Sequence, residues 1–206
     1  MASAAGTVRA DAVIVCPGPD HDWLGPELAL TRRGLTRCKL QMVRVAAPAG
    51  RRYEPALLTG LSLVRYPGFT CQPGAERLAE RIAAERPELA AAGVHLILTQ
   101  LPDGDLVLGD THDYGDPVSP FSDERLDALV LTEARRLLGA SRLDVRERWH
   151  GIYPWAPGEP FAIEQPAPGV AVVEIVSGIG MTTALGLVPR TFQTLDLAPA
   201  PLAAGD

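Results

Sequence analysis

The residues best suited to chemistry lie near the end of the chain, in Gly178-Ile179-Gly180-Met181-Thr182-Thr183. They follow the β-branched run Val172 to Val176 and open a stretch of helical character, giving strand, glycine turn and helix in succession. Such a junction presents the free N–H groups of a helix N-terminus, which is how phosphate-binding dinucleotide sites begin. The spacing Gly178-x-Gly180-x-x-Thr183 nearly matches the dinucleotide fingerprint, though a match of this kind is weak alone. A working fingerprint needs a second strand after the helix and an acidic residue about 20 positions on. Only PRTFQTLDLAPAPLAAGD follows, and its proline-rich end does not build that unit, so an NAD site is disfavoured. Two readings stay open. Either the glycines merely let a strand turn tightly into a helix, or the helix N-terminus aims its N–H groups at something electron-rich.

Other elements must position these groups. ADAVIVCPG predicts a short buried strand, Ala12 to Val15, ending at a Pro-Gly turn, and CKLQMVRV predicts a half-buried strand, Cys38 to Val45. LSLVRY, Leu61 to Tyr66, reads as a further strand. Residues 74 to 92 place Ala75, Leu78, Ala79, Ile82 and Ala83 on one helical stripe, with Pro87 restarting the helix. Val94 to Leu101, a Pro-Asp-Gly turn and Leu106 to Gly109 predict a hairpin. The strongest helix runs from Ser122, as its cap, to Leu138, with Gly139 ending it. Its Leu126, Leu129, Val130, Leu137 and Leu138 are expected to be buried. LDVRERWHGIYP predicts a long strand, and GVAVVEIV the last one. Hairpin-like connections dominate, so the fold class expected is α+β, with a mixed, mainly antiparallel sheet.

The bulk composition narrows the partners. With 206 residues and 47% hydrophobic content the chain can bury a substantial core. A net charge of -6 argues against nucleic acid and against an anionic membrane surface. No apolar run approaches the roughly 20 residues that span a bilayer. Cys16, Cys38 and Cys71 are odd in number and irregular in spacing, which suits reduced thiols in a cytoplasmic protein. No CxxC or HxxxH pair occurs, so no metal site is expected. His21 and His95 read as structural.

Taken in order, DAVIVCPG, CKLQMVR, LPDGDLVLGDTHDY, ERWHGIYP and VSGIGMTTALGL resemble the C-terminal half of the FAD-dependent oxidoreductases of the glycine oxidase and D-amino-acid oxidase type. The branch most similar is associated with phosphonate catabolism. The resemblance covers roughly residues 10 to 188. It implies that 1–35 is a remnant of an FAD-binding α/β domain, that 36–166 is a substrate-binding domain whose antiparallel sheet roofs the flavin, and that 167–206 returns to the FAD-binding domain. It also implies cofactor contacts at Cys16, Pro17 and Gly18, and at Ser177, Gly178, Ile179, Gly180, Met181 and Thr182. The second group would aim a helix N-terminus at the pyrimidine end of the flavin ring, where arriving hydride leaves negative charge. The glycine-rich element that grips the ADP half of FAD in this family has no counterpart before Asp11. The resemblance therefore implies a C-terminal portion: a fragment, a split-gene product or one half of a two-chain enzyme, with a separate N-terminal half or self-association as the partner relation.

The substrate implied is a small amine, oxidised by hydride transfer to flavin, with positioning as the main task of the protein. Where the glycine-oxidase relatives carry an arginine that clamps the substrate carboxylate, this chain has Tyr153. That departure favours an aminophosphonate or its N-methyl derivative over a simple amino acid. Period-two alternation sets Trp149, Gly151 and Tyr153 on one face of their strand, and Arg146, Arg148 and His150 on the other. Tyr153 and His112 are the expected substrate contacts, with Arg44 and Arg65 as anion partners, because guanidinium suits phosphonate oxygens. Each has a plainer reading: core aromatic for Tyr153, locally satisfied loop histidine for His112, solvated charge for each arginine. The competing function is a non-catalytic remnant or binding module that keeps the sheet and holds no flavin.

Overall fold

The computed structural model describes residues 2–3, 6–25, 28, 30, 34–158 and 160–197. By contact the chain divides into two compact units, one made of Met1–Arg37 with Tyr153–Asp206 and the other of Cys38–Ile152.

In the second unit the sheet order is Leu57–Leu58, Ile97–Gln100, Leu106–Gly109, Thr36–Val45 and Asp113–Gly115, with Val145–Trp155 also paired to Thr36–Val45. The first three strands are antiparallel neighbours, and Val43 to Val45 pair antiparallel with Leu106 to Leu108. The hairpin expected from the Pro-Asp-Gly turn is present. Gly104 takes a φ of 97°, and Asp103 accepts from the Asp105 N–H at 3.1 Å. Alternation sends Val43, Val45, Leu98, Leu106 and Leu108 into the core, all at 0% exposure. The helix Glu124–Leu138 closes that face through Val130, Ala134 and Leu138.

Three details of this unit differ from the sequence reading. Gly60–Leu63 is a helical turn, not a strand. Thr59 spends both its N–H and its hydroxyl on the Leu96 carbonyl, which ends the strand Leu57–Leu58 and turns the chain. On the main helix, Leu137 is 38% exposed, while Asp127 and Glu133 are buried. These two carboxylates are held by partners that no periodicity reveals: Gln41 and Arg148 reach Asp127, and Arg86 and Arg136 reach Glu133. The helix cap is Asp123, whose carboxylate accepts from the Arg125 N–H at 2.8 Å. The Ser122 hydroxyl instead meets His150 Nε2 at 2.8 Å. Asp123→Ala is accordingly expected to lower stability by about 1 kcal/mol in urea denaturation. Ser122→Ala should cost less, because it removes only an exposed bond; equal losses would return the cap to Ser122.

The first unit holds a three-stranded sheet in the order Phe161–Ala167, Val170–Ile175, Val13–Val15. The outer pair is an antiparallel hairpin, while Val170 to Val172 run parallel to Val13 to Val15. Ala171 and Val172 are buried on opposite faces of the central strand, whereas Ile14 of the shorter strand is 40% exposed. On one face Val15 and Val172 pack with Leu24. On the other, the helix Gly180–Thr194 lies over the sheet and buries Leu187 and Thr191. The segment 153–166, grouped from sequence with the middle region, packs within this unit, because Phe161–Ala167 pairs with Val170–Ile175. No helix among the described residues is long and apolar enough to cross a membrane.

Candidate functional site

The two turns singled out from the sequence leave the same end of the parallel pair in the first unit. Val15 is level with Val172, so Gly18 falls beside the end of the last strand, shortly before Ser177 and Gly178. In parallel sheets this carboxyl end is where ligands bind, since the turns open a crevice there. A cleft of about 400 Å³ lies between sheet and helix, lined by Ile14, Cys16, Gly18, Ile175, Leu187 and Val188 among others. Its wall is mainly apolar, with Glu174 and Thr191 also in the lining, and suits a flat aromatic ligand. A smaller hollow of about 250 Å³, on the other side of Leu187, is lined by Phe161, Ile179, Thr183 and Arg190. The two turns thus share a strand end but border different hollows.

The glycine turn is shaped by a neighbour. Gly178 adopts a φ of 74°, and a Cβ there would lie 2.9 Å from Cζ of Tyr153. Glycine is required at this position on both counts: the left-handed backbone and the phenol ring pressed against it. Ser177 donates to the Pro160 carbonyl at 3.0 Å, which pins the start of the turn. Ile179 caps the following helix without a side-chain acceptor. No cap side chain therefore covers the first-turn N–H groups, the positive end of the helix dipole. Met181 and Thr182 are exposed beside them.

Beneath the sheet's other face sits a group the sequence reading did not single out. Glu174 interrupts the apolar run at a position that period two assigns to the Val172 face, and its side chain is 1% exposed. Neither carboxylate oxygen has a hydrogen-bond partner, and His21 Nδ1 stands 3.7 Å from Oε1. Burial raises its pKa from 4.5 to about 7, against a smaller opposite pull from the charge of Arg37. Arg37 itself donates to the Pro19 carbonyl and pairs with Asp22. The charge inside VVEIV was the available signal.

The other candidates fall in the second unit. Arg44 is committed to carboxylates: Asp105 at 2.8 Å, Asp103 at 2.7 Å and Glu147 at 3.5 Å. Arg65 donates to the Tyr114 hydroxyl at 3.0 Å. His112 is enclosed, with a 5% exposed side chain and its Nδ1 3.1 Å from the Gly93 carbonyl. Burial, chiefly, lowers its pKa to about 4, so the ring is neutral at physiological pH. His112 and Arg65 come together around Tyr114, whereas Arg44 stands apart from them in a separate ion-pair cluster. On the long strand, Arg148 reaches Asp127 and His150 reaches Ser122, so both point to the main helix. Gly151 meets Leu40, in keeping with the alternation.

Residues 2–187 match the family described as FAD dependent oxidoreductase, DAO. Among solved structures, the chain resembles the glycine oxidase of Geobacillus kaustophilus, with a TM-score of 0.55 and 18% sequence identity. That similarity covers 98% of this chain and 46% of the oxidase, so the chain spans about half the length of the protein it resembles. At this identity the likeness speaks for the fold. No curated protein matches the chain.

Proposed function

The chain belongs to the DAO family of FAD-dependent oxidoreductases, and we propose that it forms the flavin-covering and substrate-binding portion of an enzyme that oxidises a small amine. The observation that carries this reading is the parallel pair Val13–Val15 and Val170–Ile175, whose two turns leave one strand end, the first bordering an apolar cleft and the glycine turn a smaller hollow beside it. Features at this strand end suit the cofactor: an uncapped helix start beside the smaller hollow and an apolar wall in the larger cleft. FAD, when bound, supplies the hydride acceptor. The chain's own part is electrostatic and positional. N–H groups of the first turn after Ile179 would face the ring's electron-rich end, alongside Ser177, Gly178, Gly180, Met181 and Thr182. Cys16, Pro17 and Gly18 would border the cofactor from the neighbouring strand. The partner relation proposed is a separate N-terminal FAD-binding half, or self-association.

Tyr153 is the substrate contact we propose, because its ring lies against Gly178. Its phenol can donate one hydrogen bond to an anionic group but cannot clamp a carboxylate through two. That favours an aminophosphonate or its N-methyl derivative. We do not extend the substrate role to Arg44, whose charge three carboxylates already neutralise.

The test joins this chain to an N-terminal FAD-binding half and follows anaerobic bleaching of the flavin near 450 nm by aminophosphonates and by glycine. Bleaching by the former is expected, and Tyr153→Arg should then shift the kcat/KM ratio toward amino carboxylates. A restored charged hydrogen bond of ~1.5–3 kcal/mol corresponds to roughly ten- to hundredfold. An unchanged ratio would remove Tyr153 from the substrate site. No bleaching by any amine would leave only the binding-module reading.

A further inference from the structure

A second cluster with chemical potential lies away from the glycine turns, inside the second unit. His95 and Asp110 face each other across neighbouring strand ends, joined by reciprocal backbone bonds of 2.9 and 3.0 Å. His112, two residues further in the connection between Leu106–Gly109 and Asp113–Gly115, also lies beside Asp110. One carboxylate oxygen, Asp110 Oδ1, is approached by two imidazole nitrogens: His95 Nδ1 at 2.9 Å and His112 Nδ1 at 3.7 Å. One potential ligand atom from each of the three residues lies within 4.8 Å of the other two.

We propose that His95, Asp110 and His112 form a binding site for a divalent cation of the zinc class. Zinc–nitrogen and zinc–oxygen bonds of about 2.0–2.1 Å set neighbouring tetrahedral ligands roughly 3.3 Å apart. The two measured separations bracket that value, so a cation seated among the three needs only small side-chain rotations. His112 would exchange its contact with the Gly93 carbonyl for the metal. Two imidazoles and one carboxylate are a donor set suited to first-row divalent ions, and three protein ligands leave a fourth position open for water or a small anion.

The surroundings hold the ligands in place. His95 is 3% exposed, and its Nε2 is a buried polar atom with no hydrogen-bond partner. Tyr66 packs edge-on against the His95 ring, and Tyr114 stacks on His112. Thr111, between two of the ligands, is fully buried and accepts from the Gln41 N–H at 3.0 Å. Arg65, whose charge acts on His112, donates to the Tyr114 hydroxyl. The spacing His95-x14-Asp110-x-His112 forms no short motif, so only the strand pairing assembles the set. The proposal is independent of the flavin reading.

The experiment strips the full chain with a chelator and titrates it with Zn²⁺ by calorimetry. One equivalent per chain is expected. Removing one ligand, by His112→Gln or Asp110→Asn, should weaken binding by at least about 100-fold, more than the usual loss of an outer-shell partner. His150→Gln, outside the cluster, should leave it unchanged. Failure of saturable one-to-one uptake, or uptake that survives both ligand substitutions, overturns the site. Should either variant fail to fold, imidazole ¹⁵N shifts of the native chain give the same decision. Zn²⁺ should move the signals of His95 and His112, and movement confined to His21 and His150 would refute the assignment.

Discussion

The 206-residue chain, purified by itself, should carry far less than one FAD per molecule. The helix Gly180–Thr194 offers a few N–H donors to one end of a flavin ring, and the apolar cleft beside it is open to water. Among the described residues the pyrophosphate has no comparable receiver. The one glycine-rich strand-turn-helix among those residues is at Gly178 to Thr183, which is proposed to face the ring. Each charge-assisted hydrogen bond that goes unmade weakens binding by ~1.5–3 kcal/mol, and each 1.4 kcal/mol is tenfold. Two such contacts therefore correspond to roughly 100- to 10,000-fold, enough to lose the cofactor on a sizing column. Exposed Met181, Leu185 and Val188 recur at helical spacing along the same helix, a stripe that invites either self-association or coverage by another chain. Absorbance near 450 nm, measured on the eluted peak, decides the matter. Supplying an N-terminal FAD-binding half in trans should restore the colour. A yellow, monomeric, active preparation of the chain alone would show that the cofactor is held elsewhere.

A second large effect is expected from Glu174. Its carboxyl is buried with both oxygens unpartnered, faced by His21 from the segment Gly18–Trp23 and influenced by Arg37, which is itself paired with Asp22. The folded-state pKa, about 7, lies above the ordinary 4.5. The folded chain thus binds a proton more tightly than the unfolded chain does. The stability this contributes is present in full below pH 4.5 and is lost as pH rises through about 7. At 1.36 kcal/mol per pKa unit the loss approaches about 3 kcal/mol, or roughly 6–12 °C in Tm for a chain of this size. Glu174→Gln, which mimics the protonated acid, should match the native chain near pH 5 and exceed it near pH 8. Parallel Tm profiles for the two proteins between those limits would mean that the carboxylate is solvated or paired when ionised.

Local chemistry made much of the architecture readable. The Pro-Asp-Gly turn with its flanking alternation marked the hairpin Ile97–Gln100 to Leu106–Gly109, and Gly139 ends the main helix in the left-handed conformation expected. Pro87 restarts a helix after Glu85 as its missing N–H requires. Where the reading missed, a partner distant in sequence was responsible. Thr59 ended a strand because Leu96 was across from it. Asp123 displaced Ser122 as the cap because His150 engaged the serine hydroxyl.

The candidate site divides along the same line. The sequence alone determined that the strand Val170–Ile175 is present, that a glycine turn follows and that a helix begins after it, because each depends on residues within a few positions of one another. It also determined, through five ordered segments, the family. Tertiary structure decided what those pieces meet. Pairing of Val170–Val172 with Val13–Val15, more than 150 residues away, brings the two turns to one strand end. Packing of Tyr153 on Gly178 explains why that position tolerates no side chain. Arg44 was a candidate anion partner until folding brought Asp103, Asp105 and Glu147 around it. His95, unremarkable by itself, gained Asp110 and His112 only through backbone pairing beyond the ends of the neighbouring strands. Side-chain type and short-range periodicity are written in the chain, but the charge and solvation each group experiences are set by neighbours that only folding brings near.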